Sequence, residues 1–226
     1  AKAYWKARQA AGSEPELDFP VDARWEAMVP VFEKKIPLLV VAGEIRQIEA
    51  AVAFARRHDV RLVLFGGADA PRALDLLREN DVAVIVDGTH RVPGRQHDAY
   101  DLPFRTPELL RAAGVRFCIS PAGGFYAERN LAYQAGTAVA YGLPHDEGVR
   151  AITLYPAQIL GVADRVGSLE VGKDATLILT DGDVLEITTQ VEMAFLQGRA
   201  VDLSNRQTVL HEKYEEKYRR LGVLRE

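Results

Sequence analysis

The chain has 226 residues, of which 48% are hydrophobic and 27% charged, with a formal net charge of -4. That length holds one large α/β domain, or a domain with an appendage, and the apolar fraction suffices for a real core. The mixed, slightly acidic charge excludes the basic footprint of a nucleic-acid binder, and no apolar run approaches the ~20 residues that a membrane helix needs.

The first residues, AKAYWKARQA, form a helical pattern without an initiator Met. The natural N-terminus is therefore expected upstream, and the compartment is left unread. A polar break, GSEPELDFPVD, leads into a second helix, ARWEAMVPVFEKK, with Trp25, Met28, Val29 and Phe32 along one side. The pattern then becomes regular. IPLLVVA, VRLVLFG, VAVIVDG and VRFCIS are apolar runs of strand length, and the strands are predicted to begin near Leu38, Leu62, Val82 and Val115. Between and after them stand the helical patterns EIRQIEAAVAFARRH, DAPRALDLLREN, TPELLRAAG and ERNLAYQAGTAVAYG. Strands apolar on both faces, alternating with amphipathic helices, indicate a parallel sheet covered by helices. The spacing suits either a doubly wound sheet or part of a (β/α)8 barrel. No GxGxxG or GxxxxGK[ST] follows the first strand, which argues against nucleotide binding in the usual manner.

The one cysteine, Cys118, excludes an internal disulfide and a cysteine-based zinc site. Lying inside the fourth strand, it reads as a small buried apolar residue rather than a nucleophile. After Gly142 a helix pair, LPHDEGVRAITLYPAQILGV, gives way to short strands with glycine and Asp-Gly turns, a small β-module. The chain closes on QTVLHEKYEEKYRRL, where Leu210, Tyr214, Tyr218 and Leu221 make an apolar seam predicted to pack on the body. The predicted divisions are 1–160 for the α/β part, 161–204 for the β-module and 205–226 for the terminal helix.

The stretch ITLYPAQILGVADRVGSLEVGKDATLILTDGD, followed by VEMAFLQGRAV, resembles the passage by which amidohydrolase-superfamily proteins leave their barrel for a small β-sandwich. GVRFCIS, AGTAVAYGLPHDEGVRAITL and VPGRQHDAYD add a resemblance to the imidazolonepropionase-like group. The resemblance implies an α/β fold, the second half of a (β/α)8 TIM-type barrel followed by part of the sandwich and a terminal helix. It also implies that the first barrel half lies outside this sequence. Such enzymes hold zinc or another divalent metal with histidines and an aspartate at the strand ends, and the metal supplies hydroxide near neutral pH. At the matching positions this sequence has Val41, Gly66 and Pro121, or at best Ser120. None offers a side chain that coordinates as the family does. The implied reading is a catalytically degenerate C–N hydrolase relative acting in binding or assembly, with no cofactor for this chain. Its partner would be the absent half or a second copy. The alternative is an active metal-dependent amidohydrolase with a rearranged site, or with ligands supplied by an N-terminal half.

Five histidines could in principle replace the lost ligands: His58, His90, His97, His145 and His211. Only His90 and His97 follow the third strand on the catalytic side, where Asp87 and Asp98 could join them in a weak metal site. The same loop, DGTHRVPGRQHDAYD, offers Asp87, His90, Arg91, Arg95, His97 and Tyr100 as candidates to hold a small anionic ligand, since arginine presents a fixed fork to carboxylates. The plainer reading, preferred over binding, is a solvated loop tied to the barrel rim by its own Asp–Arg pairs. Glu44 reads as an ordinary first-turn glutamate.

Overall fold

The computed structural model describes residues 1–12, 20–121 and 123–223, so most of the polar break at 12–22 lies outside the described residues. The chain divides into two compact units, one of Ala1–Lys173 with Val184–Ile187, the other of Asp174–Asp183 with Thr188–Glu226.

The first unit opens with α1 (Lys2–Ala11), α2 (Ala23–Glu26) and α3 (Val29–Phe32). The single helix expected over ARWEAMVPVFEKK is broken at 27–28, where Pro30 has no N–H with which to continue it. Val29 and Val31 are buried, while Trp25 is exposed. Then follow β1 (Leu38–Ala42), α4 (Ile45–His58), β2 (Leu62–Gly66), α5 (Leu74–Glu79), β3 (Ala83–Asp87), α6 (Leu102–Ala112) and β4 (Phe117–Ser120). After these come α7 (Leu131–Ala140), α8 (His145–Ile152) and α9 (Leu154–Leu160). The four strands form one sheet in the order β1-β2-β3-β4, and every pair is parallel.

Helix α4 shows how local sequence sets the elements. Glu44 and Gln47 form a reciprocal capping box, with Gln47 Oε1 accepting from the Glu44 N–H at 3.1 Å. At its other end Asp59 turns left-handed (φ 54°) and accepts from Lys34 Nζ at 2.8 Å. Two strands start a little later than predicted. The N–H of Val82 donates to Leu77 O, and that of Val115 to Leu110 O, so both residues close the preceding helix before the ladder begins. The helix expected over DAPRALDLLREN is a short 3-10 turn, Ala70–Arg72, followed by α5. Helix α6 starts at Leu102 rather than Thr106, because Pro103 suits a first turn whose N–H groups have no intrahelical acceptor.

Side chains alternate across the sheet. One row, including Leu62, Leu64, Val84, Val86, Phe117 and Ile119, packs with Ile48, Val52, Leu77 and Leu110 from the helices. Each fully buried leucine of this set, such as Leu64, contributes about 2–3 kcal/mol of apolar burial. The opposite row, Val63, Ala83, Ile85 and Cys118, meets Ile159 and Tyr155 of α9. On β1 the same face is open: Leu39 is 53% and Val41 78% exposed. The result is an α/β fold built on a parallel sheet, with β1 and β4 at its edges.

The second unit carries β5 (Leu177–Thr180), β6 (Val191–Leu196), β7 (Arg199–Ala200) and α10 (Arg206–Arg220). The strands make one antiparallel sheet in the order β5-β6-β7, and Gln197 and Gly198, both at positive φ, turn β6 into β7. The small β-module is thus, among the described residues, a single three-stranded sheet. Helix α10 is capped by Asn205, whose Oδ1 accepts from the N–H groups of Gln207 and Thr208. None of its residues is buried, and Leu210, Tyr214, Tyr218 and Leu221 all stand exposed. No described helix is long and apolar enough to cross a membrane.

Candidate functional site

The carboxyl ends of β1 to β4 emerge on the same side of the parallel sheet, and the loops that follow them form a mouth. Pairing sets Val41 beside Phe65 and Asp87 beside Ser120. Strand alternation puts these four residues on the face that the helices of the other row do not cover. Gly66 belongs to the opposite row and adopts φ 110°, a conformation that L side chains rarely take. Pro121 follows β4, and its carbonyl accepts from Gln134 Nε2 at 3.2 Å. Among the described residues no three His, Cys, Asp or Glu side chains gather closely enough to hold a metal ion. Cys118 lies just below the mouth, where burial pushes its thiol up to about 12 and makes it a poor nucleophile.

The polar organisation of the rim centres on a residue that sequence reasoning passed over. Asp69, two residues beyond the glycines that end β2, is 3% exposed. Arg95 grips it with both nitrogens, Nη1 donating to Oδ1 at 2.6 Å and Nη2 to Oδ2 at 2.7 Å. The Ile45 N–H donates to Oδ2 at 3.0 Å, and the Asp69 N–H donates to Gly43 O at 2.8 Å. One side chain therefore joins the loops after β1, β2 and β3. The Arg95 guanidinium holds the Asp69 carboxyl below the usual carboxylate range, and the carboxylate in turn raises the arginine. Arg72 donates to Asp98 at 2.6 Å and stands 3.5 Å from Asp69, which extends the pair into a network. Gly67 sits beneath at φ 61°, where a Cβ would come within 2.6 Å of Val84.

A second hub lies between β3 and β4. Gln134 of α7 is 4% exposed, and its Oε1 accepts from the N–H of Thr89 at 2.5 Å and of His90 at 2.8 Å. Its Nε2 reaches Pro121, so one amide ties both strand-end loops to the helix behind them. His90 Nε2 lies 2.7 Å from Thr137 Oγ1, whose own proton goes to Tyr133 O at 2.9 Å. His90 is then the donor, with its proton on Nε2.

The six loop candidates do not converge. Arg95 is committed to Asp69, and His90 faces Thr137. His97 is largely exposed, with Nε2 3.9 Å from Asp98, and Tyr100 is 74% exposed. Asp87 sits at the mouth, and Arg91 lines a separate cavity with Gly43, Asp69 and Arg95. Glu44 is spent on capping α4. His58 meets the ring of Phe54 at a tilt, His145 begins α8 and His211 lies on α10. The signals that could have found the hubs are slight: an aspartate just past a strand-end Gly-Gly, and a glutamine in an otherwise apolar helix.

Comparison with known proteins fits this architecture. The model of the family described as "Amidohydrolase family" matches residues 73–209, more than half of the chain. An amidohydrolase, tasK, of Hapsidospora irregularis is 28% identical over 188 residues, covering 80% of this chain and 19% of the relative. The imidazolonepropionase of Brucella anthropi is 26% identical over 150 residues, 65% of this chain and 35% of that one. The crystal structure of an amidohydrolase from Thermotoga maritima superposes with a TM-score of 0.77 at 27% identity, covering 89% of this chain and 52% of that one. The chain thus spans about half of that solved protein and a smaller share of both other relatives. A parallel sheet with its strand ends forming one mouth, an imidazolonepropionase-like sequence and a family match over most of the α/β unit lead to one conclusion: the chain belongs to the amidohydrolase family.

Proposed function

We propose that this chain is a catalytically degenerate amidohydrolase relative, the second half of a (β/α)8 barrel with part of a β-sandwich, kept for binding and assembly. The observation that carries the reading is the chemistry of the mouth. Val41, Phe65 and Gly66 have no side-chain donor atoms, Ser120 has only a hydroxyl, and Asp87 is the single carboxylate in the row. A divalent ion of the kind the family uses takes three or four nitrogen, sulfur or carboxylate ligands, so these residues do not fit one. His90 does not make up the deficit, because among the described residues no three His, Cys, Asp or Glu side chains gather closely enough to hold a metal. The decisive assay offers the purified chain cyclic and linear amides with added zinc or manganese. No metal-dependent turnover above buffer is expected. Turnover abolished by a chelator and by Asp87→Asn would overturn the reading.

Assembly follows from the open edges. Among the described residues β1 and β4 are the edges of the sheet, where a strand presents N–H and C=O groups for pairing, and Leu39 and Val41 on β1 stand exposed. The proposed partner is a polypeptide carrying the remaining barrel strands, or a second copy of the chain. Light scattering should therefore show a mass above that of the 25.0 kDa chain; a stable monomer with a cooperative melt would count against it.

A further inference from the structure

The parallel sheet has a second concave end, opposite the mouth. A cavity of about 240 Å³ lies at the amino-terminal ends of the strands, bounded by the residues that immediately precede them, Pro37, Arg61, Val82 and Arg116. Its walls carry four cations, Lys34, Arg56, Arg61 and Arg116, against two acids, Asp59 and Asp81.

The charges do not cancel. Lys34 Nζ meets Asp59 Oδ1 at 2.8 Å, and Arg116 Nη2 meets Asp81 Oδ1 at 2.9 Å. Both acids are thus paired, and their side chains stand 79% and 83% exposed, where water screens them further. Arg61 donates only to the Lys34 carbonyl, at a long 3.3 Å. The side chain of Arg56 has no hydrogen-bond or ion-pair partner among the described residues. Two guanidinium forks are therefore left over on the lining of one cavity. The carboxyl end of α4, whose free carbonyls would repel an anion, is closed. Ala55 O and Arg56 O accept from the N–H groups of Val60 and Asp59, and His58 O accepts from Lys2 Nζ at 2.9 Å.

We propose that this cavity binds a phosphate group, with Arg56 and Arg61 each offering a fork of N–H donors to its oxygens. A carboxylate brings one charge and two oxygens, enough for a single fork. A phosphate near neutral pH brings close to two charges and at least three acceptor oxygens, enough for both. The site lies at the far end of the strands from the mouth, so the assignment does not depend on what the mouth does.

The test titrates the full chain with inorganic phosphate, phenyl phosphate and benzoate in turn, read by calorimetry and by backbone amide signals. Both phosphate compounds should bind saturably and more tightly than benzoate. The tighter of the two tells a monoester from the free ion, because Val63 and Ile159 line the same cavity and would receive a ring. The amides of Arg61 and Arg116 should move, while those of Asp87 and Ser120 at the mouth stay in place. Arg56→Gln and Arg61→Gln, both at exposed positions, should each weaken phosphate binding by about threefold to tenfold. Arg46→Gln, roughly 15 Å back along α4 and beyond the screening length, should leave it unchanged. Benzoate binding more tightly than both phosphates, signals moving at the mouth instead, an Arg46→Gln loss equal to that of Arg56→Gln, or no saturable binding would each overturn the assignment.

Discussion

Asp69→Ala should lower the stability of the protein by about 3 kcal/mol, a drop of roughly 10 °C in Tm for a chain of this size. The substitution removes a buried carboxylate that accepts three hydrogen bonds, two from Arg95 and one from the Ile45 N–H, and that stands 3.5 Å from Arg72. Arg95, two-thirds covered, is then left without its counter-charge, and unpairing a largely buried ion costs more than the pair contributes in isolation. Thermal unfolding followed by circular dichroism reads the loss. The same carboxylate sets a pH dependence. Its folded pKa is depressed, chiefly by Arg95, so its contribution is present in full above the unfolded value of about 3.9 and fades as the pH falls below it. The gap between wild type and Asp69→Ala should accordingly be constant from neutral pH down to mild acid and close in stronger acid. A gap that widened in acid would contradict the assigned ionisation.

Gln134→Leu should cost about 2–4 kcal/mol, because it leaves the N–H groups of Thr89 and His90 buried without an acceptor while keeping the volume of the side chain. The damage has an address. Hydrogen exchange should accelerate at the amides of Thr89 and His90, while the strand amides of β2, which Gln134 does not touch, lose only what global stability loses. Gln134→Glu preserves an acceptor for the two amides but sets a carboxylate against the Pro121 carbonyl, so its effect should concentrate in the loop after β4. Uniform acceleration in both variants would show that the amide is not a local tie between the two loops.

The strands were legible because the physics behind them is local. A parallel strand buried on both faces must be apolar along its length, and four such runs mark β1 to β4 within two residues of their predicted starts. The helix boundaries were less readable, since Pro30 and Pro71 break or delay a helix in ways that periodicity does not show. The rim was hardly readable at all. Asp69 and Arg95 are separated by 26 residues and Thr89 and Gln134 by 45, and nothing in local spacing pairs a particular acid with a particular base across loops. Arg95 therefore looked like a ligand-holding residue in the sequence and is a structural clasp in the fold, whereas Arg91, four residues earlier and equal to it by composition, is the one left with a buried, unpartnered nitrogen.

The central claim concerns the donor atoms at the mouth, and elemental analysis reads it most directly. The purified chain is equilibrated with zinc, dialysed, and its zinc counted per chain. Val41, Phe65 and Ser120 supply no strong ligand, and among the described residues no three His, Cys, Asp or Glu side chains gather into a site, so the account predicts zinc far below one per chain, unchanged by His90→Ala or His97→Ala. One dialysis-resistant zinc per chain, lost on replacing Asp87, His90 or His97, would contradict it.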